Sequence, residues 1–212
     1  MRTVLAIFCL VLGAASAQTR YTLIEGSKQV GKATFTQTPN MAGGKDTELV
    51  LYLTVRGEPR KVSQGAAYDA LGRQMTCSLT SYLGKKKTLN GVAAKFALDG
   101  TASVVFNLRG KTGRQMVKRP KGRRNNRSAF WFMKTVPKLG ANEVFYRFNL
   151  DYLTWDKVTV TYTNPIIAEL HGKSYSGYQV SVTTPHGAET LILDKFGIPI
   201  TLTTKFYELV RQ

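Results

Sequence analysis

The chain has 212 residues, 43% hydrophobic and 20% charged, which is a globular composition and excludes wholesale disorder. The length corresponds to about one domain and excludes a large multi-domain protein. The charge is unusual, because 30 Lys and Arg against 13 Asp and Glu give a net charge of +17. Such a surplus predicts contact with anionic partners.

The N-terminus has the layout of a secretory signal peptide. Arg2 precedes an apolar run at 4–12, and small residues stand at Ala15 and Ala17, where signal peptidase reads the chain. A membrane anchor is disfavoured, because the run is much shorter than the roughly 20 residues of a spanning helix. We therefore expect cleavage after Ala17. The mature chain, 18–212, is expected to be a single β-rich domain without a transmembrane segment, exported to the periplasm or outside the cell.

The mature chain keeps a single cysteine, Cys77, because Cys9 lies in the predicted signal peptide. One cysteine cannot form an internal disulfide, so the core must be stable by packing alone. Cys77 lies in a stretch with strand character. We expect it to be a buried small hydrophobic residue rather than a reactive thiol.

Short extended runs, separated by turn signals, continue along most of the mature chain. The run at 47–56 alternates clearly, with Leu49, Leu51 and Leu53 on one side, and Asp99-Gly100 is a typical turn signal. Short strands at even spacing predict an all-β fold, a curved antiparallel sheet or open half-barrel of about ten to twelve strands. The predicted strands are 21–25, 28–37, 47–56, 93–98, 103–108, 144–150, 157–162, 166–170, 176–183, 189–193 and 200–207.

One short segment, 126–134, is predicted to be an aromatic helix. A capping Asn126 or Ser128 precedes the run Phe130-Trp131-Phe132, and Pro137 lies beyond the end. Three consecutive large apolar residues cannot all lie on one side of a helix, so they require apolar surface on most sides. Insertion into the concave face of a curved sheet would provide that surface. A fully buried strand is the alternative.

Basic residues are concentrated in one third of the chain. Between residues 70 and 142 sixteen Lys or Arg are opposed only by Asp99, and nine of them lie at 109–127 together with three Gly and one Pro. This composition predicts a solvated, mobile basic loop at about 109–127.

Two interpretations of this loop stay open: a solubilising surface, or a docking surface for anionic envelope lipid or another polyanion. Nucleic acid is a weaker candidate partner, since the loop lacks aromatic residues that stack on bases. The candidate anion-binding residues are Lys118, Arg119, Lys121, Arg123, Arg124 and Arg127.

The sequence contains no catalytic motif. Its two histidines, His171 and His186, lack the spacing of a zinc site, and no Gly-x-Ser-x-Gly motif is present. Two carboxylates, for example Asp151 and Asp156, could meet in space, which keeps a hydrolase as the least favoured alternative. We therefore predict a non-enzymatic protein without a metal or cofactor.

The order of several features resembles that of bacterial exported proteins of unknown function that form an open, curved β half-barrel. These features are the turn at 68–73, the aromatic run at 130–132, Pro137-Lys138-Leu139-Gly140, Trp155 and the closing segment at 193–200. At the level of architecture the pattern is also similar to the half-barrels that carry lipoproteins across the periplasm. The resemblance implies a fold and a compartment, and it implies no catalytic residues.

Two functions follow as hypotheses. In the first, the hollow of the half-barrel holds an apolar or lipid-like ligand, with Phe130, Trp131, Phe132 and Trp155 as the candidate contacts. In the second, the basic loop docks on an anionic surface while the core is filled.

Overall fold

The computed structural model describes residues 17–55, 57–84, 86–108, 110–121, 138–195 and 197–212. Within these ranges the chain forms fourteen β-strands and no helix. No helix there is long and apolar enough to span a lipid bilayer. In chain order the strands are β1 (Ala17–Glu25), β2 (Lys28–Pro39), β3 (Lys45–Val55), β4 (Glu58–Tyr68), β5 (Gln74–Leu83), β6 (Lys86–Phe96), β7 (Ala102–Leu108), β8 (Lys111–Val117), β9 (Asn142–Asn149), β10 (Thr154–Leu170), β11 (Lys173–Thr184), β12 (Gly187–Leu193), β13 (Pro199–Thr203) and β14 (Glu208–Arg211).

These strands form one antiparallel sheet in the order β8-β7-β6-β5-β4-β3-β2-β1-β14-β13-β12-β11-β10-β9. Strands that follow each other in sequence are paired, except β8 and β9, which are the two edges. The first and last strands, β1 and β14, pair in the middle. Local turn chemistry supports this meander. At the β6–β7 turn the Thr101 N–H donates to the Asp99 carboxylate at 2.7 Å, and Gly100 has a φ of 86°.

The predicted all-β class is confirmed, but the predicted number of ten to twelve strands is wrong. The sequence pattern missed β4, β8 and β14, and it indicated β5 only as a stretch with strand character around Cys77. β4 carries many polar residues, β8 is highly charged and β14 is very short. The pattern also divided β10 in two, whereas a register shift between Tyr162 and Asn164 lets the strand continue past Pro165. The aromatic helix predicted at 126–134 lies outside the described residues, and the described residues contain no helix.

The segment predicted as a basic loop at 109–127 contains a strand. β8 pairs with β7 from Lys111 to Val117. Gly113 lies opposite Phe106, and a Cβ at this glycine would be 2.5 Å from the Phe106 ring, so the absent side chain makes room for the aromatic one. Charged residues are common on edge strands, which explains why the composition suggested a loop. Residues 122–127 lie outside the described ranges.

Three clusters of buried apolar side chains form the core. Ladder register places Ala33 of one cluster and Cys77 and Val92 of another on the same face of the sheet, which we call the inner face. The clusters are Tyr21, Leu23, Ala33 and Leu209; Phe145, Val158, Val160, Val180, Val182, Leu191 and Leu193; and Cys77, Val92, Ala94, Ala102, Val104, Phe148 and Leu150.

The third cluster shows how strongly the sheet is curved. Phe148 and Leu150 come from β9 and its following turn, at one end of the sheet, whereas Ala102 and Val104 come from β7, near the other end. The two ends therefore meet through side chains, although β8 and β9 do not pair. The result is an open sheet that is rolled toward a barrel.

A buried polar network holds the first and last strands to the β12–β13 turn. Arg211 donates to the Asp194 carboxylate at 2.9 Å and to the carbonyl oxygens of Ile198 and Pro199, both at 2.8 Å. The Tyr21 hydroxyl also donates to the Pro199 carbonyl, at 2.8 Å. Burial raises the pKa of Tyr21 to about 12, so its hydroxyl stays a donor at neutral pH.

Candidate binding site on the inner face

Trp155 lies where the two ends of the sheet meet, in a group we call the seam: Phe96, Val117, Phe148 and Trp155. Its ring centroid is 5.4 Å from that of Phe96 and 5.2 Å from that of Phe148. The indole Nε1–H donates to the Val117 carbonyl on β8 at 3.3 Å. The structure thus places Trp155, which the sequence suggested as a ligand contact, in contacts that join β10 to β6 and β8. The other three candidate apolar contacts, Phe130, Trp131 and Phe132, lie outside the described residues.

Away from the seam, the inner face carries apolar side chains that are only partly covered. We call this set the apolar face. Gln64 lies between Leu49 and Leu79 in the ladder and is exposed although it is on the inner face, so water reaches this region. Each member of the set is half-buried, in contrast to the fully buried clusters on either side. The members are Phe35, Leu49, Leu51, Leu53, Val62 and Leu79.

One end of the apolar face is polar. Directly beyond the row that contains Phe35 and Leu49, the next row of inner-face residues across β2 to β5 consists of Gln37, Thr47, Ala66 and Cys77. The Gln37 Nε2 atom is buried and has no hydrogen-bond partner. An unpaired buried donor is uncommon in native proteins and requires an explanation.

Tyr68 and Arg147 complete this polar end. Tyr68 is two residues beyond Ala66 on β4. Burial raises the pKa of its hydroxyl to about 12. The nearby positive charge of Arg147 and a hydrogen bond from Thr47 lower this pKa, but by less than burial raises it. Ladder register, followed from Tyr21 through β14 to β10, places Arg147 on the inner face of β9, on the same side as Phe145. We call Gln37, Thr47, Tyr68 and Arg147 the polar end.

Cys77, in the same row, is buried, with 6% of its surface exposed, as the sequence predicted. Burial raises the pKa of its thiol to about 12. A thiol that stays protonated is a poor nucleophile, so Cys77 belongs to the core and not to reactive chemistry.

An open groove of about 560 Å³ lies on the part of the sheet formed by β5 to β8. Ladder register places Ser78, Ala93, Val105 and Arg114 of its lining on the face opposite the inner face. The groove is open and mixed in polarity, which differs from the enclosed, mostly apolar sites that hold small ligands.

The candidate anion-binding residues follow β8. Lys118 and Lys121 are exposed, whereas Arg119 is half-buried and folds over the β6–β7 turn. Its Nη2 lies 3.5 Å from the Asp99 carbonyl oxygen, and a Cβ on Gly100 would be 2.5 Å from its Nε. Three further candidates, Arg123, Arg124 and Arg127, lie outside the described residues.

The structure joins two residues that sequence reasoning considered only separately, His186 and Asp156. The His186 Nε2 lies 3.3 Å from the buried Asp156 carboxylate, which also accepts from Asn149 Nδ2 at 2.7 Å. The His186 ring stacks on Tyr152 at 4.2 Å. These contacts connect the β11–β12 turn to the β9–β10 turn. No local sequence signal reports such a pairing, because the two residues are far apart in the chain and meet only through the pairing of β10 with β11. Among the residues that the structure covers, no cluster of three or more His, Cys, Asp or Glu is arranged to bind a metal.

Comparison with known proteins supports the fold. A crystal structure of a beta-barrel-like protein of a domain of unknown function, DUF1849, from Brucella abortus aligns with 93% of this chain and 94% of its own. The TM-score is 0.62 and the sequence identity is 12%. The two chains share a fold. No protein-family model matches the sequence, and no curated protein matches it either.

At this identity the similarity extends to architecture alone. It agrees with the expected barrel-like, curved β-sheet of a protein of unknown function. The resemblance to lipoprotein carriers stays a prediction.

Proposed function

We propose that this protein is an exported, non-enzymatic binding protein that holds an apolar or lipid-like ligand against the apolar face. The observation that carries the proposal is the partial exposure of this face, in contrast to fully buried inner-face residues such as Ala33, Cys77 and Val92. Each Å² of apolar surface removed from water stabilises a complex by roughly 25 cal/mol, so an occupant of this face would be bound mainly by the hydrophobic effect.

The dimensions of the apolar face suit an extended chain. Along β3 the face runs through Leu49, Leu51 and Leu53, with Phe35 and Val62 on the flanking strands. From Thr47 to Leu53 the strand advances about 20 Å at a rise of about 3.4 Å per residue. The signal peptide pattern at 1–17 supports export. The sequence contains no catalytic motif, which favours a binding role over a catalytic one.

The experiment measures binding of the neutral fluorescent probe N-phenyl-naphthylamine to protein expressed from the full-length sequence. Leu51→Asn places a polar group in the middle of the apolar face and should weaken probe binding about tenfold, whereas Leu98→Asn, at a position 77% exposed in the β6–β7 turn, should leave it unchanged. Native mass spectrometry of the same preparations should show a co-purified apolar ligand that Leu51→Asn loses. Equal probe binding by the two variants, with both folded, would contradict the proposal.

A second candidate function is docking on anionic lipid through the basic residues after β8. It is favoured by the exposure of Lys118 and Lys121 beside Met116, which is itself 66% exposed. Each basic residue near an anionic membrane is worth about 1 kcal/mol, and the attraction decays over about one Debye length.

Vesicle sedimentation tests this second function. Replacing Lys118, Arg119, Lys121, Arg123, Arg124 and Arg127 by Gln should nearly abolish binding to anionic vesicles, and wild-type binding should fall steeply between about 50 and 500 mM salt. Neutral vesicles are the control. Equal sedimentation of the two proteins would leave these residues a solubilising role.

A further inference from the structure

The polar end contains a buried hydrogen-bond donor that the protein itself leaves without an acceptor. Gln37 Nε2 is shielded from solvent and has no partner. A buried donor without a partner destabilises a fold, so a partner that arrives with a ligand would recover that free energy. The group that pairs with Gln37 Nε2 must be a hydrogen-bond acceptor.

Arg147 adds a positive charge to the polar end. It lies opposite Asp156 in the β9–β10 ladder, but Asp156 is held by Asn149 and His186. In the part of the chain that the structure covers, no carboxylate lies within ion-pair distance of Arg147. Arg147 is half-buried, which strengthens its attraction for an anion relative to a fully solvated residue.

On β3, the two carboxylates that flank Thr47 face away from the polar end. Asp46 and Glu48 alternate with Thr47 on β3 and therefore lie on the opposite face, where Asp46 accepts from Asn40 at 2.8 Å and Glu48 accepts from Ser63 at 2.7 Å. The polar end is thus positive in charge and rich in donors, and it is continuous with the apolar face.

We propose that the polar end binds the carboxylate of a long-chain fatty acid whose chain lies along the apolar face. Arg147 supplies the opposite charge, and Gln37 and Tyr68 supply N–H and O–H donors. One cation matches one negative charge, and a planar carboxylate fits the paired N–H groups of a guanidinium. The three leucines of the apolar face follow a single strand, β3, which suits one acyl chain rather than two. This inference rests on the proposed function.

The test uses displacement of N-phenyl-naphthylamine by palmitate and by hexadecanol, which has the same chain without the charge. Wild-type protein should bind palmitate about tenfold more tightly than hexadecanol, as expected for a charge-assisted hydrogen bond. Arg147→Gln should remove this preference, because it lowers the affinity for palmitate and leaves that for hexadecanol unchanged. Arg147→Lys should keep most of the preference. Arg20→Gln, which changes an exposed arginine on the outer face of β1, is the matched control and should leave both affinities unchanged.

The outcomes separate the two proposals. If the probe binds but palmitate and hexadecanol displace it equally from the wild type, the carboxylate site is refuted and the apolar site stands. If the probe does not bind, both are refuted. Arg60 lies opposite Leu53, at the other end of the apolar face. If Arg60→Gln lowers the affinity for palmitate while Arg147→Gln does not, the carboxylate binds at that other end and the assignment to Arg147 is wrong. The wild-type comparison decides the question even if a variant fails to fold.

Discussion

Truncation of Trp155 tests whether the seam closes the sheet or serves a ligand. Removing a large buried aromatic side chain usually destabilises a protein by about 3–5 kcal/mol. Trp155 is half-buried, so the lower part of that range applies. Its two aromatic contacts contribute about 0.5–1.5 kcal/mol each and its hydrogen bond to Val117 about 1 kcal/mol. We therefore expect Trp155→Ala to lower the free energy of unfolding by about 3 kcal/mol.

Two further variants sharpen this prediction. Trp155→Phe keeps a ring against Phe96 and Phe148 but loses the indole donor, and should be destabilised by about 1 kcal/mol. Phe206→Ala, at an aromatic residue 72% exposed, should be unchanged. Urea unfolding followed by far-UV circular dichroism measures all three, and the expected shift of the midpoint for Trp155→Ala is about 1 M or more. If Trp155→Ala lowers the free energy of unfolding by less than about 1 kcal/mol and abolishes probe binding, the structural role is refuted and Trp155 is a ligand contact instead.

Three other predictions concern the core and the turns. Arg211→Ala removes the ion pair with Asp194 and the hydrogen bonds to the Ile198 and Pro199 carbonyls and should lower stability by about 3 kcal/mol in thermal unfolding; an unchanged melting temperature would show that the network adds nothing. Because the pKa values of Cys77 and Tyr21 are raised to about 12 from 9.0 and 10.0, the unfolded state loses these protons first, so stability should fall as pH rises from about 9 towards 12. Urea midpoints measured across that range check this, and Cys77→Ala should reduce the decline; a flat profile would contradict it. Gly44→Ala should prevent folding or lower the free energy of unfolding by several kcal/mol, because its Cβ would lie 2.1 Å from the carbonyl oxygen that ends β4. Thermal unfolding followed by circular dichroism measures this, and an unchanged melting temperature would show that the turn can rearrange.

Local properties of this protein were predictable from the sequence. The alternation at Leu49, Leu51 and Leu53 indicates a strand with one apolar side, and Asp99-Gly100 indicates a tight turn, because both signals depend on backbone geometry within a few residues. The burial of Cys77 also follows from its apolar neighbours. Where a local signal was weak, as in the polar strand β4 or the charged strand β8, the prediction failed, because backbone pairing depends on the neighbouring strand and not on the strand's own composition.

The candidate site shows what only the tertiary structure decided. The sequence pointed to an apolar hollow and to Trp155, but it did not point to Gln37, Tyr68 or Arg147, which are ordinary polar residues in three separate strands. Ladder register brings Gln37 and Tyr68 to one end of the inner face, and the curvature of the sheet then brings Arg147 from the opposite edge. Alternation determines that a strand has two faces. Which face is enclosed, and which side chains meet across it, is decided by contacts between residues far apart in the chain, since only these set the roll of the sheet.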